Sequence, residues 1–272
     1  MAAPRESLDL DVVLAPNPSP MTGRGTNTYV LGRGNDVVVI DPGPDDAGHM
    51  ANIENAVDGR GRAAMVLLTH HHPDHGESAA AVARRLGAPL AAIPHRLSPA
   101  LDLRLVDNQL LEVGREVLTV LATPGHCRDH ACFEWPAAAA IFAGDLVAGE
   151  GFIVIDPPEG DMDDYLRSLA RVSERPAMTR GDAVLLPGHG PAIHNPRGHL
   201  DTYVAHRLSR EQRVWDALAD QPRPLAALLP MAYADTPEVM FPIAQRSLQA
   251  HLDRLVRLGR AALTDEGYLR RA

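Results

Sequence analysis

The sequence predicts a layered α/β domain followed by a small winged-helix-like domain. Short β-rich runs alternate with helix-patterned segments over residues 1–200, as expected for sheets covered by helices. Residues 201–272 then turn charged and helical and close on a hairpin-like segment. A length of 272 residues fits one main domain with a small appendage better than two large domains.

Taken in order, Val12-Val13-Leu14, Thr28 to Leu31 and Val37 to Ile40 read as strands separated by Gly and Pro. Asp41-Pro42-Gly43-Pro44 stops the third. Ala47 to Val57 follows as a helix, and the apolar run Met65 to Leu68 as a strand that delivers Thr69 and His70. Glu77 to Leu86 is an alanine-rich helix. Strand patterns recur at Leu90 to Ile93, Val117 to Leu121, Ala131 to Trp135 and Ala140 to Ala143, then a helix at Met162 to Val172 and a strand at Ala183 to Leu186. In the second domain, Asp201 to Ala219 reads as a charged helix, and Pro242 to Leu258 puts Leu248, Leu252 and Leu255 on one face. Ala261 to Thr264 and Tyr268-Leu269 flank the turn residues Asp265-Glu266-Gly267.

Composition narrows the function classes. Apolar residues make up 45% and aromatics only 4%, so the core is built from Val, Leu, Ile and Ala. The longest apolar stretches, such as Ala137 to Ala143, fall far short of the roughly 20 residues that cross a bilayer. Met1 to Pro20 has no basic start and no apolar leader segment, so a cytoplasmic protein without membrane partners is expected. Two cysteines, Cys127 and Cys132, make no disulfide framework. The formal charge is −9 and all 26 basic residues are arginine, which disfavours a broad electrostatic grip on a phosphate backbone.

The chemistry sits in Thr69-His70-His71-His72-Pro73-Asp74-His75-Gly76. Leaving a strand, His70 and His72 share one side, and the ensuing turn brings Asp74 and His75 around. Imidazole and carboxylate together suit zinc, whose catalytic sites keep a position open for water. A histidine-rich polar turn is the competing explanation. His71 falls on the opposite side by alternation and is not expected to be a ligand.

With Thr123-Pro124-Gly125-His126, Gly144-Asp145 and Pro187-Gly188-His189-Gly190 following in order, the chain resembles the metallo-β-lactamase superfamily along its whole length. It is most similar to the branch of β-lactamase-like proteins that includes a mitochondrial endoribonuclease and uncharacterised bacterial hydrolases. Gly25 to Tyr29, Gly160 to Leu169, and His206-Arg207 with Arg210-Glu211 support that placement.

The resemblance implies an αββα sandwich with a C-terminal winged-helix-like domain. It implies His70, His72 and His126 around one metal, Asp74, His75 and His189 around a second, and Asp145 bridging. Two Zn2+ ions are expected, with iron or manganese as alternatives. Zinc lowers the pKa of bound water from about 15.7 to about 7, worth roughly 12 kcal/mol, so hydroxide becomes available at neutral pH. Asp74 is then the residue placed to orient that nucleophile or take its proton.

Asp145 stands where one class of true zinc β-lactamases carries a cysteine ligand, which turns the reading away from antibiotic hydrolysis. Cys127, directly after His126, reads as a buried inert thiol. His130 and His194 read as ordinary loop histidines, although a place beside the ligands is open to them. Asp41 is divided between orienting a ligand and capping a turn. Gly149 to Phe152 is a candidate substrate loop with a structural turn as the alternative.

The function expected is therefore zinc-dependent hydrolysis of a small ester, thioester or lactone by a metal-bound hydroxide. Cleavage of single-stranded RNA ranks below it because of the charge, and a winged-helix DNA-binding sensor ranks lower still. For the C-terminal helix carrying Arg246, Arg254, Arg257 and Arg260, a capping or dimerising role is expected rather than nucleic-acid contact.

Overall fold

The computed structural model describes residues 9–114 and 116–271; residues 1–8, part of the segment read above for a leader, lie outside it. Strands β1 (Leu10–Leu14), β2 (Asn27–Leu31), β3 (Gly34–Ile40), β4 (Gly61–Leu67), β5 (Leu90–Ala92) and β6 (Leu103–Arg104) form one sheet in that spatial order. Its first two pairings are antiparallel and the rest parallel. Strands β7 (Leu110–Val113), β8 (Glu116–Ala122), β9 (Ala131–Trp135), β10 (Ala140–Gly144) and β11 (Val184–Pro187) form a second, ordered β11-β10-β9-β8-β7.

Side-chain alternation explains why the sheets stack. In β3, Val38 and Ile40 face the second sheet while Val37 and Val39 face outward onto helices. In β10, Phe142 points to the first sheet and Ile141 and Ala143 to the opposite face. Helix α1 (Ala47–Arg60), the single turn α2 (Pro73–Gly76) and α3 (Ala79–Leu86) belong to the first sheet's side, where Ile53, Val57 and Val82 complete its outer core. Helices α4 (Met162–Ser173) and α5 (Pro196–Ala217) cover the second sheet with Tyr165, Leu169, Leu200 and Tyr203. The result is the four-layered αββα arrangement.

Caps decide where these helices start. Asp46 accepts from the His49 amide of α1 at 2.7 Å, and Asp161 accepts from the Asp163 and Asp164 amides of α4 at 2.9 and 3.1 Å. Asn195 caps α5, which therefore begins five residues before the expected Asp201. The first turns of α5 pack into the main core, whereas Val214 and Ala217 near its end enter a separate core.

That second core joins α5 to α6 (Leu225–Ala232), α7 (Phe241–Arg257) and the hairpin β12 (Ala261–Thr264) and β13 (Gly267–Arg270), through Leu228, Leu248, Leu252, Leu255 and Tyr268. Helix α6 was not anticipated, because Leu225 to Ala232 is apolar with a proline at Pro230 and shows no polar face. Strands β6 and β7 were also missed; β6 is a two-residue exposed pairing with no alternation to read.

Candidate metal centre

Four loops leave the C-terminal ends of β4, β8, β10 and β11 at a common edge of the sandwich, and each carries part of the cluster. The first loop leads through Thr69 to His70 and into α2, whose single turn places Asp74 and His75 beneath it. Gly125 makes the second loop possible. Its φ is 137°, and a Cβ there would lie 2.3 Å from the Tyr165 Cα, so only glycine lets His126 approach over α4. Gly188 serves the fourth loop similarly, since a Cβ would meet the His75 ring at 2.5 Å.

All seven predicted residues converge. His72 Nδ1 lies 3.1 Å from His70 Nε2 and 2.9 Å from His126 Nε2. His189 Nε2 lies 3.3 Å from both His75 Nε2 and Asp74 Oδ2. Asp145 spans the two groups: Oδ1 is 3.4 Å from His75 Nε2 and from His189 Nε2, and Oδ2 is 3.5 Å from His126 Nε2. The donor atoms of His70, His72 and His126, and separately of Asp74, His75 and His189, fall within 4.8 Å of one another.

Electrostatics divides the cluster in two. Burial, reinforced by neighbouring rings, pushes His70 well below the usual histidine value and His72 down to about 4, so both stay neutral. Burial also lowers His126. Burial acts in the same direction on His75 and His189, but the surrounding carboxylates outweigh it, with Asp145 foremost; His75 is raised strongly and His189 to about 9. Burial favours the neutral form of Asp145, yet the His189 and His75 rings hold its carboxyl well below the usual range.

The ring nitrogens turned away from the cluster are held by the scaffold. A carbonyl can only accept, so His126 Nδ1 donates to Val154 O at 2.8 Å, which leaves its Nε2 lone pair facing inward. Asp41 accepts from His75 Nδ1 at 2.9 Å, from the Thr69 amide at 2.8 Å and from Thr69 Oγ1 at 2.7 Å. It thus orients a cluster histidine and caps the turn at once, from a strained φ of 53°.

Sequence reasoning underrated His130. Its Nε2 accepts from the Asp145 amide at 3.0 Å and its Nδ1 contacts Thr123 Oγ1 at 2.8 Å, so a buried neutral ring positions the residue that spans both groups. The only signal was its place four residues after His126. His71 turns away as expected, onto Asp129 Oδ1 at 2.8 Å. Cys127 is buried and its thiol is pushed up strongly by that burial, while His194 is exposed.

These residues fit metal ions on the chemistry of the donor set. The Nε2 lone pairs of His70 and His126 both converge on His72 Nδ1, which has at most one proton to give, so hydrogen bonds alone cannot satisfy these three uncharged imidazoles. Asp145 Oδ1 is a buried carboxylate oxygen that makes no well-formed hydrogen bond and faces only the His75 and His189 ring nitrogens, each at 3.4 Å, a setting that suits a cation between them. A cleft of about 100 Å3 opens on His72, Asp74, His126, Asp145 and His189, walled by Phe152, Ile153, Met240 and Ile243. The last two come from the C-terminal domain and carried no sequence signal of their own.

A family model described as metallo-beta-lactamase superfamily matches residues 21–189, the stretch holding all seven residues. The chain belongs to the metallo-beta-lactamase superfamily. It is accordingly a metal-binding hydrolase of that superfamily. A second model, the beta-lactamase associated winged helix domain, matches residues 225–268 and covers α6, α7 and the hairpin. The chain is 30% identical to a beta-lactamase-like protein 2 homolog of Drosophila melanogaster, covering 91% of this chain and 88% of that one. It is 32% identical to an atrochrysone carboxyl ACP thioesterase of Aspergillus fumigatus over 76% of this chain and 64% of that one. The fold matches a metallo-beta-lactamase family protein of Thermus thermophilus with a TM-score of 0.80, at 23% identity, over 97% and 99% of the two chains.

Proposed function

We propose that the protein hydrolyses a small thioester, ester or lactone at a dinuclear zinc centre. His70, His72 and His126 would hold one ion and Asp74, His75 and His189 the other, with the Asp145 carboxylate between the two groups. The observation that carries this reading is Asp145, whose two oxygens reach separate histidine groups at 3.4 and 3.5 Å. When bound, the two ions acidify a water and polarise the scissile group.

The chain supplies the rest. Asp74 has a side chain 31% exposed and lines the cleft, whereas His75 and His189 beside it are buried, so its carboxylate is the one placed to orient water and accept its proton. His126 and His75 are fixed from behind by Val154 O and Asp41, which keeps the donor set preorganised. Phe152 and Ile153 exclude bulk water from one wall.

A small-molecule substrate is supported by the narrow cleft and by the use of the C-terminal arginines inside the chain. Arg254 pairs with Glu211 and Asp163, Arg257 with Asp161 and Asp163, and Arg246 with Asp156. Charges neutralised in this way attract a polyanion weakly. The thioesterase named among the relatives supports a thioester above the other carbonyl classes.

The test is a panel of thioesters, esters, lactones, a β-lactam and single-stranded RNA, assayed on protein whose zinc, iron and manganese contents are measured. We expect about two zinc ions per chain, turnover of a carbonyl substrate, and at least a hundredfold lower kcat in Asp74→Ala. Cleavage of RNA alone, or fewer than two metals in active protein, overturns the proposal.

A further inference from the structure

A second cavity, of about 500 Å3, opens beside the metal cleft, and the two share Met21, Phe152, Ile153 and His189 as walls. Its volume lies within the range that encloses a small ligand. Val12, Leu14, Met21 and Phe152 all line it, and all four are large apolar side chains left exposed. Such a concentration is unfavourable in water and marks a place that something apolar covers.

Three polar side chains in the wall, Tyr29, Asn27 and Thr22, are already engaged. The Tyr29 hydroxyl donates to Pro187 O at 2.7 Å, which leaves its ring to the cavity, and Asn27 Nδ2 donates to Pro187 O and Gly190 O at 3.0 and 2.8 Å. Thr22 Oγ1 donates to Asn17 O at 2.6 Å. Arg24 and Glu150, both exposed, oppose each other in charge and give the cavity no net sign.

We propose that this cavity receives the apolar acyl chain of the substrate, with the scissile carbonyl beside His189 and Asp74, so that medium and long acyl chains are preferred to acetyl. The inference rests on the hydrolase reading above. In the reaction the water oxygen bonds to the carbonyl carbon, the carbon–sulfur bond breaks, and the thiol leaves with one water proton while the other passes through Asp74 to solvent.

Two measurements on the full-length metal-loaded protein test it. The first is kcat/KM for N-acetylcysteamine thioesters from acetyl to decanoyl, in the wild type, in Leu14→Glu and in Leu263→Glu, which alters an exposed apolar residue of the hairpin. The wild type should gain about fourfold per added methylene until the cavity is full, chiefly through KM. The decanoyl-to-acetyl ratio should fall at least tenfold in Leu14→Glu and hold in Leu263→Glu. The second is calorimetric binding of the decyl and ethyl thioethers of N-acetylcysteamine, which cannot be hydrolysed; the decyl compound should bind at least a hundredfold tighter. A flat chain-length series in an active enzyme, or equal binding of the two thioethers, overturns the acyl site and leaves hydrolysis standing. If no carbonyl substrate is turned over by protein holding two metals, the hydrolase reading fails instead, and the thioethers still decide what the cavity accepts.

Discussion

At the scale of single residues, the cluster is a competition between protons and cations for the same carboxylates. His75 and His189 are drawn toward the protonated state by Asp145, and a dication must displace those protons. Zinc affinity should therefore rise with pH between about 6.5 and 9, with proton release visible by calorimetry in buffers of different ionisation enthalpy. For the metal-free protein the sign reverses. The folded-state value of His189, about 9, lies above its ordinary value, so its stabilisation is complete below about 6.5 and lost as pH rises through about 9. The melting temperature of chelator-treated protein should fall over that window, and an unchanged profile would refute the assignment. Asp41→Asn keeps the shape that tolerates a φ of 53° but weakens the acceptor behind His75. Metal affinity in chelator competition should drop about 10- to 100-fold. The cluster residues and their spacing were legible because His and Asp at such offsets have few other uses. His130 was not, since its value depends on an amide brought from β10.

At the scale of elements, the loops work because particular residues permit close approach. Gly125→Ala would push a methyl into the backbone at Tyr165 and force a left-handed φ on an L residue. We expect a loss of about 2 kcal/mol or more in denaturant unfolding, with His126 displaced and the metal content reduced. Retention of the wild-type metal content and affinity would count against this role for the glycine. The strands of both sheets were readable where alternation is strong, as in β3, β9 and β10, each of which feeds two cores at once. Helix α6 and strand β6 were opaque for opposite reasons: one is apolar on nearly every face, and the other is too short to carry a period.

At the scale of the whole molecule, the C-terminal domain is part of the site as well as its neighbour. Glu211 on α5 is buried and takes Arg254 from α7, which also reaches Asp163 at the start of α4, while Ser247 Oγ accepts from the Ile155 amide at 3.3 Å. These contacts seat α7 so that Met240 and Ile243 complete the cleft. Arg254→Met leaves the Glu211 and Asp163 carboxylates short of their partner, and should cost about 3 kcal/mol of stability by chemical denaturation. KM should rise more than kcat falls as the wall loosens. An unchanged KM would show that α7 does not shape the substrate site. No helix among the described residues is long and apolar enough to cross a membrane.

Taken alone, the sequence determined the His70 to His75 cluster, the alternation of strands and helices and the winged-helix-like end, because residue chemistry and side-chain period are local properties that survive without coordinates; the αββα layering and the rest of the seven-residue set were legible only through the resemblance to a family. Only the tertiary structure decided that Asp145 faces both histidine groups, that His130 and Val154 hold Asp145 and His126 from behind, and that Met21, Phe152, Met240 and Ile243 wall the cleft. The physical reason is that these depend on where four strand ends and two domains meet, and residues from 15 to more than 200 positions apart leave no periodic trace of meeting.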